Sequence, residues 1–286
     1  MNSTNPKEAT EIAPSLLPAA SSDLSVIISL KNGANYLACT LESLISQRNY
    51  KQIEVIVIDS NSSDAPYFVA QEYIKKGLLV IFHSSYDNSI YEAWNKAIAI
   101  SKSPYLTFVG AGDILLKDSL IKLLKYLEAN EDIDILTSQS IDVYPNGFEV
   151  LRGKPYSKTD FSKIFSINHT GVIYKKSLFR KFGNYSQDYR YSSDYEFLLR
   201  VSSLAKFGYL KITVSKYIYG GASSSSIAPL IETYNIRKRH NAISKKENRL
   251  ILVRSVASFL VINFIIKYSS NRVSRYLLSL MARKSS

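Results

Sequence analysis

The chain has 286 residues, of which 46% are hydrophobic and one is a cysteine, Cys39. These totals suit one large domain with an appendage or two domains, and they exclude an internal disulfide. The formal net charge of +12 is concentrated near the end of the chain, where residues 228–286 hold 12 Lys and Arg against 2 Asp and Glu. A nucleic-acid-binding protein more often spreads a basic face over its folded domain, so we expect no nucleic-acid partner.

The first 23 residues are polar and contain prolines, without the apolar core of a signal peptide. We interpret residues 1–23 as a disordered leader and expect the chain to begin in the cytosol.

Apolar runs typical of buried strands alternate with amphipathic helical patterns up to residue 110. Strands are predicted at 24–30, 53–58, 78–82 and 105–109, and helices at 35–47, 65–76 and 90–101. Asn35 is the predicted N-cap of the first helix. The alternation indicates an α/β fold with a mostly parallel central sheet and helices on both faces.

The pattern is more mixed after residue 113. The sequence predicts a helix at 117–129, strands at 133–137, 169–174 and 209–219, a hairpin over 141–152 that turns at 145–147, and helices at 176–182 and 193–206. A Gly/Ser segment follows at 220–226. We therefore predict a single globular domain over residues 24–226.

Residues 227–286 are predicted to form a basic, apolar helical tail. Residues 250–266 are nearly all apolar apart from Arg254, and their length lies at the lower limit for crossing a bilayer. A second amphipathic pattern covers 272–284. Basic residues flank the longer helix on both sides, whereas a spanning helix is expected to show asymmetry. We expect helices lying on an anionic membrane surface; a spanning helix and ordinary packing in a soluble protein or oligomer remain alternatives.

The stretch from Ser84 to Asp113 carries the clearest functional signal. An acidic turn leads into a helix, the helix into an apolar strand, and the strand ends in Gly110-Ala111-Gly112-Asp113. Open α/β sheets bind ligands at the carboxyl ends of their strands. A single carboxylate there, beside glycines that admit a bulky ligand, fits a metal-bound diphosphate. The alternative is that Asp113 caps the helix that follows.

Four segments, in order, resemble a family 2 glycosyltransferase with the GT-A fold. They are SVIISLKNGANYLACTLESL, IEVIVIDSNSSDA, YDNSIYEAWNKAI and YSSDYEFLLRV, and the resemblance covers roughly residues 24–220. The chain departs from the family pattern at Ser89 and Ala97, where glycines are usual, and at Trp94, where Met is common. It also has Gly112-Asp113 where the family often shows two carboxylates.

The resemblance implies a nucleoside diphosphate sugar as the donor substrate. It assigns donor binding to residues near the carboxyl ends of the strands, namely Asp59, Asp87, Tyr91, Asn95, Lys96 and Gly112. Several of them also have structural interpretations. Asp87 suits a turn, Asn95 suits a cap for backbone groups around the site, and Lys96 is equally well explained as a solvated side chain. Asp64, which opens the next helix, is a further candidate nucleotide contact that also suits an N-cap. Trp94 is expected in the core.

The resemblance further implies that Asp113 holds Mg²⁺ or Mn²⁺, with His169 as a second metal or diphosphate contact. It places the general base of an inverting transfer at Asp194. The structural alternatives are a helix cap for Asp194 and a buried, hydrogen-bonded role for His169.

These features together predict a metal-dependent inverting glycosyltransferase of polysaccharide biosynthesis. It would move a sugar, UDP-linked by preference, to a glycan or lipid-linked acceptor as a peripheral protein on the cytoplasmic face of the inner membrane. A catalytically decayed sugar-nucleotide-binding protein and a basic nucleic-acid-binding protein are the alternatives. A dehydrogenase is disfavoured, because no Gly-x-Gly-x-x-Gly follows the first strand.

Overall fold

The centre of the molecule is a mixed β-sheet with helices on both faces, seen in a computed structural model that describes residues 11–12, 22–47, 53–145, 147–163, 167, 169–218 and 226–268. The strands in these ranges are β1 (Glu11–Ile12), β2 (Leu24–Leu30), β3 (Ile53–Asp59), β4 (Leu79–Ser84), β5 (Tyr105–Gly110), β6 (Ile114–Leu115), β7 (Ile135–Val143), β8 (Glu149–Arg152), β9 (Ile173–Lys175) and β10 (Phe207–Ile218). Their order is β1-β4-β3-β2-β5-β9-β7-β10-β6, and β8 pairs with β7.

Strands β4, β3, β2 and β5 are parallel neighbours, which confirms the predicted parallel sheet. The chain runs outward from β2 through β3 to β4 and then returns to add β5 on the other side of β2. The strand order therefore reverses between β2 and β5, and a crevice at the carboxyl ends of such strands is where open α/β sheets bind ligands.

The second half of the sheet mixes directions. Strand β9 lies antiparallel between β5 and β7, β10 runs parallel to β7, and β6 is antiparallel to β10. The predicted hairpin is confirmed, since β7 and β8 pair through a turn in which Gly147 has a φ of 74°. The predicted strand at 169–174 is shorter, because a turn bonding Val172 N–H to His169 C=O precedes β9.

The helices are α1 (Ala34–Ile45), α2 (Pro66–Lys75), α3 (Ile90–Ile100), α4 (Ser119–Glu128), α5 (Lys158–Lys163), α6 (Ser177–Phe182), α7 (Ser193–Val201), α8 (Ala228–Arg239) and α9 (Lys245–Tyr268). One core cluster joins a sheet face to α1, α2 and α4, and a second joins the other face to α3, α6 and α7. Every residue of β2 except Ser29 is buried, as expected for a strand covered on both faces.

Two helix ends differ from the sequence prediction. Asn35 is not the N-cap of α1, because α1 begins one residue earlier, after Gly33. The N–H of Ala34 instead donates to Asp64 Oδ2 at 2.8 Å, so the cap comes from the turn after β3. Helix α7 ends at Val201, short of the predicted residue 206, and a turn there brings the chain to β10.

Helix α8, in the predicted tail, packs against the globular body. Ile236 is fully buried, and buried Arg237 donates from Nη1 to the carbonyl of Lys163. The domain boundary at residue 226 stays a prediction. The second predicted tail helix, at 272–284, and all of the predicted leader except 11–12 and 22–23 lie outside the described residues. No helix within the described ranges has the length and apolar character needed to cross a membrane.

Candidate active site

Asp59 is the last residue of β3 and is buried at the carboxyl edge of the sheet. Its Oδ2 accepts a hydrogen bond from the Ser84 hydroxyl at 2.6 Å, and both of its carboxylate oxygens lie 3.2 Å from the Ser62 backbone nitrogen. Ser84 ends the neighbouring strand β4. The carboxylate is therefore fixed at the junction of two strand ends, which is where the sequence predicts a nucleotide contact.

Asp87 and Lys96 form an ion pair beside this junction. Asp87 Oδ1 lies 2.5 Å from Lys96 Nζ, which also donates to Ser85 Oγ and to the Tyr86 carbonyl at 2.9 Å each. Burial raises the pKa of Asp87, and the Lys96 contact opposes that rise. Asp87 Oδ2 is buried and has no hydrogen-bond partner among the described residues. Because buried acceptors are usually paired, this oxygen is a candidate acceptor for a ligand donor.

Asp113 is held in a tight turn after β5. Its Oδ2 accepts hydrogen bonds from the Gly110 N–H at 3.1 Å and from the Thr170 hydroxyl at 2.7 Å. Thr40 of α1 braces the turn, donating to the Asp113 carbonyl at 2.9 Å and accepting from the Gly112 N–H at 2.9 Å. Gly112 has a φ of 103°, a conformation that favours glycine. The turn thus fixes one buried carboxylate just after the carboxyl end of β5.

The Asp113 carboxylate is buried without a cationic partner in the described part of the chain. Burial raises its pKa to about 6, although the hydrogen bonds from Thr170 and Gly110 oppose this. No group of three or more His, Cys, Asp and Glu that could hold a metal occurs among the described residues. A cation here would rely on one carboxylate together with substrate phosphates and water, and Mg²⁺ accepts such a site. Asp113 fits that requirement.

His169 lies next to Thr170 and packs among aromatic rings. Its ring stacks on Trp94 with the centroids 4.8 Å apart, and its Nε2 is 3.4 Å from the Tyr185 hydroxyl. Burial lowers the pKa of His169 to about 3, so the imidazole is neutral, which is the form that binds metals. Trp94 is a core residue, as expected, and donates from Nε1 to Ser29 Oγ at 3.1 Å.

Asp194 lies in the first turn of α7 and is buried. Its Oδ1 accepts hydrogen bonds from the Tyr91 hydroxyl at 2.9 Å and from the Tyr195 N–H at 2.9 Å. Burial raises the pKa of Asp194 to about 6, and the Tyr91 hydrogen bond opposes that rise. A carboxylate with a pKa near the working pH is suited to general base catalysis.

Asn95 connects α3 to the loop before α7. Its Nδ2 donates to the Tyr185 carbonyl at 2.9 Å, and its Oδ1 accepts from the Tyr185 N–H at 3.0 Å. Asn95 thus caps backbone groups around the site, one of the two roles that the sequence suggests for it. The ring of Tyr185 packs on that of Tyr91 with the centroids 5.6 Å apart.

A chain of direct contacts brings most predicted site residues together. It runs from Asp113 through Thr170 and the adjacent His169 to Trp94, then to Tyr91 and Asp194. Helix α3 carries Tyr91, Asn95 and Lys96, so the Asp87–Lys96 pair belongs to the same region. The structure therefore gathers the predicted residues in one region at the carboxyl edge of the sheet.

Four residues around this cluster were not predicted from the sequence: Thr40, Thr170, Tyr185 and Glu232. Thr170 has a signal, since it follows the predicted residue His169. Glu232 has none, because it lies beyond the Gly/Ser segment in the predicted tail. In the structure, its carboxylate accepts hydrogen bonds from the backbone N–H groups of Arg190 and Tyr191.

The sequence matches the profile of the family described as "Glycosyl transferase family 2" over residues 25–184, more than half of the chain. Among curated proteins, it is 26% identical over 207 residues to a PGL/p-HBAD biosynthesis glycosyltransferase of Mycobacterium bovis, with 71% of this chain and 79% of the relative covered. It is 29% identical over 203 residues to an uncharacterized glycosyltransferase of Methanocaldococcus jannaschii, with 68% and 70% covered.

Solved structures share the fold. TarS residues 1–349 from S. aureus, crystallised with UDP-GlcNAc, align with a TM-score of 0.64 at 18% identity over 90% of this chain and 79% of TarS. The mannosyltransferase PcManGT of Pyrobaculum calidifontis, solved with GDP-Man and Mn²⁺, aligns with a TM-score of 0.58 at 13% identity over 93% and 81%. The predicted GT-A fold is thereby confirmed, and the chain belongs to glycosyl transferase family 2 and is a glycosyltransferase.

Proposed function

We propose that this glycosyltransferase is a metal-dependent, inverting enzyme of polysaccharide biosynthesis. It takes a sugar from a nucleoside diphosphate donor, UDP-linked by preference, and places it on a hydroxyl of a glycan or lipid-linked acceptor. The observation that carries the proposal is the chain of contacts joining two buried carboxylates, Asp113 and Asp194, each with a pKa raised to about 6. One binds the donor diphosphate through a cation, and the other prepares the acceptor.

The donor lies along the carboxyl edge. Asp59 ends β3 and Asp87 lies in the turn between β4 and α3, where carboxylate oxygens can accept hydrogen bonds from a base or ribose. Gly112 and its neighbours leave room for the diphosphate after β5. The UDP-GlcNAc bound to TarS and the GDP-Man bound to PcManGT support a sugar nucleotide as the substrate class.

Asp113 would hold Mg²⁺ or Mn²⁺, with His169, the neighbour of Thr170 in sequence, as a neutral imidazole nearby. Such a cation, when bound, would supply positive charge to offset the charge that develops on the departing diphosphate. Thr170 and Gly110 orient the carboxylate through their hydrogen bonds to Oδ2.

Asp194 removes the proton from the acceptor hydroxyl. The acceptor oxygen then forms a bond to the anomeric carbon, and the bond from that carbon to the diphosphate oxygen breaks. The nucleoside diphosphate leaves with the bonding electron pair on the opposite face, so the anomeric configuration inverts. Proton transfer by a positioned base contributes about 10²–10⁴-fold to the rate.

A thermal-shift screen of UDP, GDP and dTDP, each with and without Mn²⁺, tests the donor and metal assignments. We expect one nucleotide to stabilise the protein, and only when Mn²⁺ is present. The shift should be measurable, because a ligand at 100 times its Kd adds about 2.7 kcal/mol to stability. Release of UDP from UDP-GlcNAc then probes turnover, and Asp194→Asn should abolish it while nucleotide binding persists. No binding and no turnover with any sugar nucleotide would favour the decayed protein instead.

The proposal also places the enzyme on a membrane surface through α9. Every described side chain from Arg249 to Phe264 is at least partly exposed, and Val253, Leu260 and Phe264 are 65%, 59% and 64% exposed. An apolar helix left in water lacks the burial that stabilises most helices. Its basic neighbours, namely Lys245, Lys246, Arg249 and Arg254, complement anionic lipid. We therefore infer a peripheral location on the cytoplasmic face of the inner membrane.

Sedimentation of the full chain with vesicles tests this location. We expect binding to phosphatidylcholine vesicles that contain phosphatidylglycerol, release by salt, and weaker binding by Leu260→Asp. Leu204→Asp is the matched control, because Leu204 is 66% exposed but follows α7 in the body. Self-association without vesicles that Leu260→Asp abolishes would show instead that a second copy covers this helix.

A further inference from the structure

The start of α7, which carries Asp194, depends on another helix for its position. The N-cap residue of α7, Ser192, makes no side-chain cap hydrogen bond. The backbone just before it is held from α8, because Glu232 Oε1 accepts the Arg190 N–H at 2.8 Å and Glu232 Oε2 accepts the Tyr191 N–H at 2.7 Å. One carboxylate thus binds two consecutive backbone donors immediately ahead of the candidate base.

Glu232 makes two short hydrogen bonds from α8 to the backbone of this loop. Hydrogen bonds to an ionised carboxylate are roughly twice as strong as neutral ones. The Ser192 hydroxyl bonds the Pro229 carbonyl at a longer 3.3 Å. The ion pair between Arg239 and Asp188 is exposed on both sides, so it adds little.

We propose that Glu232 is a positioning residue for Asp194, an inference that rests on the proposed role of Asp194 as the base. By fixing the backbone at 190 and 191, Glu232 sets where α7 begins and therefore where the Asp194 carboxylate lies relative to the Tyr91 hydroxyl.

Charge adds a second route from Glu232 to the base. Among the described residues, Tyr91 of α3, Tyr174 of β9, Tyr185 of the preceding loop and Glu232 of α8 are titratable groups that interact with Asp194. Burial holds the pKa of each of these tyrosines well above 10, so they are neutral, and the negative charge comes from Glu232. Burial is the main cause of the raised pKa of Asp194, and the Glu232 charge raises it further.

The Glu232→Gln variant of the full chain separates these effects. Glutamine keeps one acceptor oxygen and replaces the other by a donor, so one of the two backbone bonds is lost. We expect amide hydrogen exchange to accelerate at least tenfold at whichever of Arg190 and Tyr191 loses its acceptor oxygen. Glu247→Gln is the matched control, because Glu247 pairs with Lys163 at 3.0 Å on a different part of the surface, and its variant should leave both amides unchanged.

Two further readouts distinguish positioning from simple structural support. Carboxyl ¹³C NMR of aspartate-labelled protein, with Asp194→Asn identifying the signal, should show a lower pKa for Asp194 in Glu232→Gln and a value near wild type in Glu232→Asp, which keeps the charge. Release of UDP from UDP-GlcNAc should show a kcat about tenfold lower in Glu232→Gln with an unchanged KM for the donor.

The outcomes separate this inference from the proposed function. Unchanged amide exchange would overturn the inference, and so would wild-type kcat in Glu232→Gln beside an inactive Asp194→Asn. Full activity of Asp194→Asn would overturn the proposed function and the inference together. If Glu232→Gln does not fold, amide hydrogen exchange at Arg190 and Tyr191 in Glu232→Asp replaces it as the test. If UDP-GlcNAc is not turned over, the test consists of the amide exchange rates and the Asp194 pKa in the Glu232 variants.

Discussion

Asp113 is a buried carboxylate in a place where the fold gains nothing from its charge. Its pKa in the folded chain is about 6 against 3.8 when unperturbed, so the unfolded state ionises more readily than the folded one. The penalty is absent below about pH 4, grows between about pH 4 and 6, and levels off above pH 6 at roughly 3 kcal/mol. A bound cation would offset this penalty, which is why a metal site explains the residue better than a structural role.

Asp113→Asn should therefore stabilise the metal-free protein at pH 7.5 while it removes the function. We expect a higher melting temperature without ligands, no further increase on addition of Mn²⁺ with UDP, and at least a 100-fold loss of turnover. Asp118→Asn is the control, because Asp118 makes no cap hydrogen bond and its φ of 55° suits asparagine equally well. A metal-dependent shift that survives in Asp113→Asn would contradict the assignment.

The pH dependence of turnover should report Asp194. A base with a pKa of about 6 is protonated below that pH, so kcat should fall about tenfold for each pH unit below 6. Tyr91→Phe removes a hydrogen bond that lowers this pKa, and the acidic limb should move to higher pH. Tyr73→Phe, which removes a hydroxyl bonded to Glu42 on the far side of the sheet, should not move the limb.

Single residues show what a sequence can and cannot reveal about a site. Asp59 and Asp113 were predictable because each ends an apolar run, and the ends of parallel strands meet at one edge. Glu232 was not, because it reaches the site through contacts that span more than 40 positions of the chain. Such contacts depend on strand order and helix packing, which no local pattern encodes.

At the scale of an element, α3 explains one departure from the family pattern. Ser89 occupies a position where glycine is usual, and it is the N-cap of α3, accepting the Glu92 N–H at 3.2 Å. The Glu92 carboxylate reaches back to the Asn88 N–H at 2.9 Å. This arrangement is close to a capping box, so the substitution supports the helix that carries Tyr91, Asn95 and Lys96.

Replacing this cap should cost stability in a graded way. Ser89→Ala should lower the free energy of unfolding by about 1 kcal/mol, whereas Ser89→Gly should lower it by only a few tenths, since glycine is tolerated at N-caps. Urea denaturation of the two variants measures the difference. Equal losses in both would show that the serine hydroxyl does not stabilise α3.

The elements themselves were mostly predictable where a periodic pattern is long, and their ends were not. The N-terminus of α1 is the clearest case, since the cap comes from Asp64 in another turn and Asn35 is inside the helix. The end of α7 is another, because a turn at Val201 stops a pattern that would otherwise continue.

At the scale of the whole molecule, α8 joins the predicted tail to the body. It contributes a fully buried Ile236 and the Glu232 hydrogen bonds, and His240, the residue that caps its end, contacts Glu196 Oε1 through Nε2 at 3.1 Å. The sequence placed a boundary before this helix because Gly and Ser are dense at 220–226. Composition indicates a linker well, but it does not show whether the helix after the linker packs against the globular body.

Truncation tests the boundary directly. A chain ending at residue 226 should melt several degrees below one ending at residue 249, because burial of an Ile side chain alone contributes about 1.5–3 kcal/mol and each kcal/mol shifts the melting temperature by about 2–4 °C. Calorimetry of the two chains measures this. Equal melting temperatures would support a globular body that is complete at residue 226.

The direction of β9 explains how distant segments share the site. A parallel strand brings to the carboxyl edge the residues that come after it, as β3 does with Asp59 and β5 with Asp113. A strand inserted the other way round delivers whatever precedes it, and for β9 that is His169 and Thr170. The reversed direction of β9 between β5 and β7 thus brings residues that precede a strand to the edge where the other strands bring residues that follow them. In proteins built this way, the segment before such a reversed strand is a place to look for ligand contacts.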